Sequence, residues 1–250
     1  MSIQIAFSRP TSNEEDQRTL FQQYRAVGYD GLQLKAPQYI PYLNEPGKFK
    51  EQWGHLPGVG SALITGGRLD DANIEQLRKV FRFASEIGTD LIVYCHGVPR
   101  SEVTADDICK YAGQLSELGL EAQQQGVKLS LHHHYNQPVM YREDFDVFFD
   151  KIQNKAVGLT VDTAHLVKSG INDGAEVIRS FGQVIDNFHL KDFSNGEWKV
   201  LGQGGIDFKR IFGAIKDIQY KGWISADEES GGGIAEGLKD CYTYIRDGLK

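Results

Sequence analysis

The chain has 250 residues, enough for one sizeable core, and its 40% hydrophobic and 24% charged content is ordinary for a globular protein. A formal net charge of -7 disfavours polyanionic partners, so nucleic acid is not expected. No run approaches the roughly 18 apolar residues of a membrane span, so no membrane partner is expected.

The start, MSIQIAFSRP, lacks a basic stretch followed by a long apolar one, which predicts no signal peptide. Cys95, Cys109 and Cys241 are widely spaced, form no zinc-type pattern and suit a reducing cytoplasm. The expected location is therefore cytoplasmic.

In chain order, strand-like runs alternate with amphipathic helical runs. The first strand is read at 3–7. Ser12 to Glu15 reads as a capping box that opens a helix carrying Leu20, Phe21, Tyr24 and Val27 on one face. A second strand follows at 29–35. A proline-rich, irregular stretch with Pro37, Pro41, Pro46 and Pro57 then holds at most a short helix. The third strand is read at 61–65 and the fourth at 90–96, with the helix marked by Leu77 and Phe81 between them. The fifth is VKLSLHHH at 127–134, the sixth VGLTVD at 157–162, the seventh VIDNFHL at 184–190 and the eighth WISAD at 223–227. Asp207 is placed to cap the helix that precedes the eighth strand.

Eight strand–helix units argue for a parallel sheet, and eight within 250 residues argue for a closed α/β barrel, a single (β/α)8 TIM barrel. No linker or composition break divides the chain, so 1–250 reads as one domain. An open doubly wound sheet would want a glycine-rich loop after the first strand, and FSRPTSNEE offers none.

In such a barrel the site lies at the C-terminal ends of the strands. The fifth to eighth strands all finish in histidine or carboxylate. Side chains alternate along a strand, so His132 and His134 share one face and His133 faces the other. Asp162 closes an apolar run, where a buried carboxylate needs a partner. That partner is a cation in the barrel mouth or, more plainly, Lys168 or Lys191. His132, Asp162, His189 and one strand-eight acid, Asp227 or Glu228, would form a mixed nitrogen and oxygen ligand set. Such a set suits one divalent ion, such as Mn, Co, Zn, Fe or Mg.

At this point the sequence resembles the sugar phosphate isomerase/epimerase family, the xylose isomerase-like TIM barrels. The resemblance runs through GYDGLQL, VDTAH, HLKD, LGQGGIDF and YKGWISADEE, in that order, over nearly the whole chain. It implies a divalent metal on a strand-five Glu, a strand-six Asp, a strand-seven His and a strand-eight Glu, in enzymes that interconvert ketoses or dehydrate related polyols. Asp162 and His189 match directly. His132 stands where the family often has Glu, and GWI aligns the strand-eight Glu with Asp227, with Glu228 one step on. Gln33 replaces a strand-two Glu and removes one polar contact. A strand-five H-x-H is also seen in the inosose-dehydratase-like branch.

Around these ligands, Asp227, Glu228 and His165 are read as candidates for proton transfer. His96, His134, Lys191 and Gln203 are read as substrate-binding groups facing the mouth, with Asp192 holding Lys191 or a histidine in place. The leading expectation is a metal-dependent isomerase or epimerase of a small polyhydroxy substrate such as a sugar, ketose or cyclitol, working through an enediolate. The alternative is a dehydratase using the same metal. An abasic-site endonuclease and a non-catalytic sugar-binding barrel stand further off. The pattern is also compatible with a homo-oligomer.

Overall fold

The structure is a computed structural model, and it describes residues 2–250. Eight parallel strands close into a barrel: β1 (Gln4–Ser8), β2 (Gly31–Lys35), β3 (Val59–Gly67), β4 (Leu91–His96), β5 (Lys128–His132), β6 (Val157–Asp162), β7 (Ile185–Leu190) and β10 (Trp223–Asp227). Each pairs with its sequence neighbour among these eight, and β10 closes on β1 with Ser8 opposite Asp227. A short antiparallel hairpin, β8 (Asp192–Ser194) and β9 (Glu197–Lys199), follows β7.

Helices ring the barrel: α1 (Glu14–Val27), α4 (Asp71–Ile87), α5 (Ala105–Gln123), α6 (Arg142–Phe149), α8 (Gly174–Phe181), α9 (Phe208–Asp217) and α10 (Ile234–Gly248). The proline-rich stretch folds into α2 (Ala36–Tyr39) and α3 (Pro46–Trp53), and α7 (Thr163–Lys168) leaves directly from β6. The cap of α1 is Asn13, which accepts from the Asp16 amide at 2.9 Å, rather than Ser12. Asn competes equally well for this position, and here its oxygen sits over the first turn. Asp207 caps α9 as expected.

The core lies between the barrel and its helices. Leu129, Leu131, Leu159, Val161, Phe188 and Leu190 face outward into it. The barrel interior is different. One wall holds a small apolar cluster of Ala62, Leu91 and Val93. Elsewhere polar groups enter the interior: Gln33 on β2 hydrogen-bonds Asn187 on β7, two strands that are not neighbours. Such a bond requires both side chains to point inward. Alternation then carries Lys35, Cys95, His132, Asp162, His189 and Asp227 toward the upper end.

Candidate metal centre

Strand β5 ends at His132, two residues earlier than the sequence pattern suggests, so His133 and His134 belong to the loop. Strand β6 ends at Asp162, which also caps α7: its Oδ1 accepts from the amides of Ala164 and His165, each at 3.0 Å. That grip fixes the carboxylate and leaves Oδ2 facing the mouth, 3.4 Å from His132 Nε2. His189, from β7, lies in register with Asp162. Ligand atoms of His132, Asp162 and His189 lie within 4.8 Å of one another, and all three residues are buried.

The electrostatics follow from burial and neighbours. Burial holds the His189 imidazole down, at about 3, against the opposing pull of Asp227. Burial also lowers His132, but Cys95 and Asp162 outweigh it and bring it up to about 10. Burial would raise Asp162, yet His165, Lys191 and His132 hold it well below the usual carboxylate range. His189 Nδ1 is buried and makes no hydrogen bond. An orphaned imidazole nitrogen beside a fixed carboxylate oxygen fits a cation, since an unpaired buried polar atom is otherwise costly. Two imidazoles and one carboxylate suit a first-row divalent ion and leave coordination positions open.

The two strand-eight acids part company. Asp227 turns toward the trio, with Oδ2 3.9 Å from His189 Nδ1. Lys191 Nζ sits 2.7 Å from that oxygen, and Lys35 Nζ 2.6 Å from Oδ1. Glu229 completes the cluster, 2.8 Å from Lys191 and 2.9 Å from Lys35. Burial would lower both lysines, but Asp227 and its neighbours raise them, so both stay charged. Glu228 turns away instead. It pairs with Arg9 of the β1 loop and accepts from the Ser230 amide at 2.7 Å. The reason is alternation, since the residue after Asp227 must face the other side.

Two expectations, one for a substrate contact and one for a positioning acid, are corrected. His96 does not face the mouth: its ring packs edge-on against Tyr111 of α5 at 4.3 Å, and its Nδ1 accepts from the Val98 amide. Leu91 and Val93 set the inward phase of β4, so Cys95 takes the inner position. Its Sγ lies 2.9 Å from His132 Nδ1. Asp192 does not hold Lys191 or a histidine. Its carboxylate accepts from the amides of Phe193, Gly202, Gly204 and Ile206, which winds the LGQGG loop around it. A Cβ at Gly204 would fall 2.2 Å from that carboxylate, which explains the glycine. Gln203 rides on this loop, exposed.

His134 and His165 stack at the rim with ring centroids 3.6 Å apart, and Trp198 of the hairpin packs edge-on against His165. Burial drives His165 far down and holds His134 at about 4, so both are neutral near pH 7. His133 faces outward against Phe145 and accepts from the Asp162 amide, as alternation implies. Sequence reasoning missed Lys35, Cys95, Arg9 and Trp198; alternation does put Glu229 on the face of Asp227, where it is found. Lys35 had the clearest signal, two residues beyond Gln33 on the same strand face.

A family model described as Xylose isomerase-like TIM barrel matches residues 21–245. An inosose dehydratase of Clostridium perfringens is 31% identical over 144 residues, which cover 50% of this chain and 48% of that protein. The chain thus spans about half the length of the curated relatives it matches. Among solved structures, one described as the IolI protein with a binding zinc atom superposes with a TM-score of 0.80 at 18% identity, over 98% of both chains. An L-ribulose 3-epimerase superposes with a TM-score of 0.81 at 19% identity, over 100% of this chain and 95% of that one. At such identities these structures share the fold.

Proposed function

Since the chain belongs to the xylose isomerase-like TIM-barrel family, we propose that it is a divalent-metal-dependent enzyme acting on a small sugar or cyclitol, and that it removes water rather than inverting a carbon. His132, Asp162 and His189 would hold the ion. Such an ion, when bound, acts as a Lewis acid toward a substrate carbonyl or hydroxyl.

The observation that carries the choice of reaction is the state of the strand-eight acids. Epimerisation needs a proton acceptor on each face of one carbon. Glu228 is locked by Arg9, and Asp227 is shared between two ammonium groups. His132 faces Asp162 through Nε2 and Cys95 through Nδ1. Among the described residues, no pair of free carboxylates flanks the ligand trio. What the mouth offers is one ammonium group and two neutral imidazoles, gathered around Trp198. Lys191 stays protonated and can hand a proton to a departing hydroxyl. Of the two neutral rim imidazoles, His134, at about 4, is the less depressed and would accept the proton lost from the neighbouring carbon, with His165 packed against it. The inosose dehydratase relatives support this reading. The epimerase fold neighbour keeps one-carbon isomerisation as the second reading.

The test is elemental analysis of the purified protein, then incubation with inososes and ketoses in D₂O. Loss of one water by mass, with a conjugated product, is the expected result. Rapid inversion at one carbon with no water lost would overturn it.

A further inference from the structure

Metal-binding histidines present one nitrogen to the ion, and what the other nitrogen bonds decides which one. For His189 the answer is written in the barrel interior, by a chain of hydrogen bonds that starts at its opposite end.

Asp186 sits at the start of β7, toward the lower end of the barrel. Once ionised, as it is at a pH of about 8, its carboxylate can only accept, so Ser130 Oγ then donates to it, at 2.6 Å. Ser130 has one hydroxyl proton and has spent it there. Thr160 Oγ1, 2.7 Å away, must therefore donate to Ser130. Thr160 in turn has spent its own proton, so it can only accept from Asn187. The Asn187 group that faces Thr160 is then its NH₂, which places its Oδ1 against Gln33. Gln33 Nε2 donates to that oxygen at 2.8 Å, and Gln33 Oε1 is left as an acceptor. His189 Nε2 lies 2.8 Å from this Oε1. It can only be a donor.

We infer that Gln33 is a positioning residue for the metal centre: held by the Asp186–Ser130–Thr160–Asn187 chain, it keeps the His189 proton on Nε2 and offers the Nδ1 lone pair to the ion. Every side chain in the relay is buried except that of Asp186, which is partly so. The orphaned Nδ1 is the other face of the same fact. It is the nitrogen that faces Asp227, and with Nε2 committed to Gln33 it is the one left to offer a lone pair. Gln33 therefore does not merely lack the acid its position has in the family. An amide accepts from His189 without adding a second negative charge to a buried interior, where such a charge would be costly. A glycine makes room for the anchor: a Cβ on Gly158 would fall 2.0 Å from the Asp186 carboxylate.

The inference rests on His189 being a ligand, but its test does not need the metal. Two-bond ¹H–¹⁵N spectra of the chelated wild type, at a pH of about 8, report the tautomer of each histidine, with His189→Asn identifying the His189 signals. The expected tautomer at His189 is Nε2–H. Gln33→Met keeps the length and removes the acceptor, so the tautomer should become mixed. The Zn dissociation constant, from competition with a chelator, should then rise about 10- to 100-fold. Gln33→Glu restores an acceptor oxygen and should restore the tautomer. Asp186→Asn, remote from the ion, should shift both readouts in the direction of Gln33→Met by a smaller factor. A proton on Nδ1 of His189 in the wild type overturns the inference, whatever the variants do. So does a Gln33→Met protein with unchanged tautomer and unchanged Zn affinity. If the wild type binds no divalent ion, the metal reading fails, and the tautomer spectrum still decides this one.

Discussion

Replacing Asp186 by Asn should make the protein less sensitive to rising pH, and the size of the effect follows from its surroundings. Burial lifts the Asp186 carboxyl from 3.8 to about 7, with Ser130 and Lys128 only partly opposing. The unfolded chain ionises this group near its ordinary value, while the folded chain holds the proton to about 7. Between those values the folded state binds more protons, so stability is full below about pH 4 and falls as pH rises toward 7. At about 1.4 kcal/mol per tenfold, the shift from 3.8 to about 7 sets a ceiling of about 4 kcal/mol. Residue 186 keeps some contact with solvent, which reduces the expectation to about 2–3 kcal/mol. Urea unfolding of chelated wild type and Asp186→Asn, at about pH 4 and about pH 8, measures it. The variant should gain about 2–3 kcal/mol on the wild type between the two conditions. Subtracting one protein from the other removes the titration of every other group. A stability difference that is the same at both pH values would refute the reasoning.

Three further outcomes are expected. Lys191→Met should cost about 3 kcal/mol in urea unfolding, the low end for breaking a buried pair because Lys35 still holds Asp227. Adding Asp227→Asn should recover about 1–3 kcal/mol of that loss, and strict additivity would show that the pair is not coupled. His133→Ala should leave bound metal intact by elemental analysis, whereas Asp162→Asn and His189→Ala should lower it, and equal loss in all three would contradict the outward placement of His133. Cys95→Ala removes the contact to His132 Nδ1 and should weaken Zn binding about tenfold, while unchanged affinity would mean that the thiol does not orient the ring.

Much of this architecture is legible in the sequence because two periods, one of 2 and one near 3.6, alternate along it. All eight barrel strands fall within a few residues of where those periods put them. The grouping of the candidate ligands is legible for the same reason. His132, Asp162 and His189 close three successive strands, and neighbouring strand ends lie side by side in a barrel. The errors arise where chemistry was given more weight than phase. His96 attracted attention as a histidine, although Leu91 and Val93 had fixed the inward parity of its strand on Cys95. Glu228 fails by the same one-residue step. Other features have no local signal at all. Lys35 meets Glu229 across 194 positions of sequence, and Gln33 meets Asn187 across 154. Such pairs are set by closure of the barrel, and no short window contains them. The role of Asp192 was hidden differently, because an acid next to a lysine reads as its partner, while backbone amides ten to fourteen residues away have no letter of their own.

The four amides wound onto Asp192 bear on how fast the site can work. Segment 200–206 spends its freedom when the chain folds, since the amides of Gly202, Gly204 and Ile206 are already committed to one carboxylate. A loop fixed in this way has little left to lose when a ligand binds beside it, so binding carries little ordering cost there. It is also a poor lid, because lifting it would strip several donors from a buried anion at once. The residue that precedes the clamp is Lys191, whose ammonium belongs to the charged cluster beside the ligand trio. Rigidity of the rim and placement of the Lys191 ammonium are thus adjacent links of one chain. Slow amide exchange at Gly202, Gly204 and Ile206 would be its signature in the free protein.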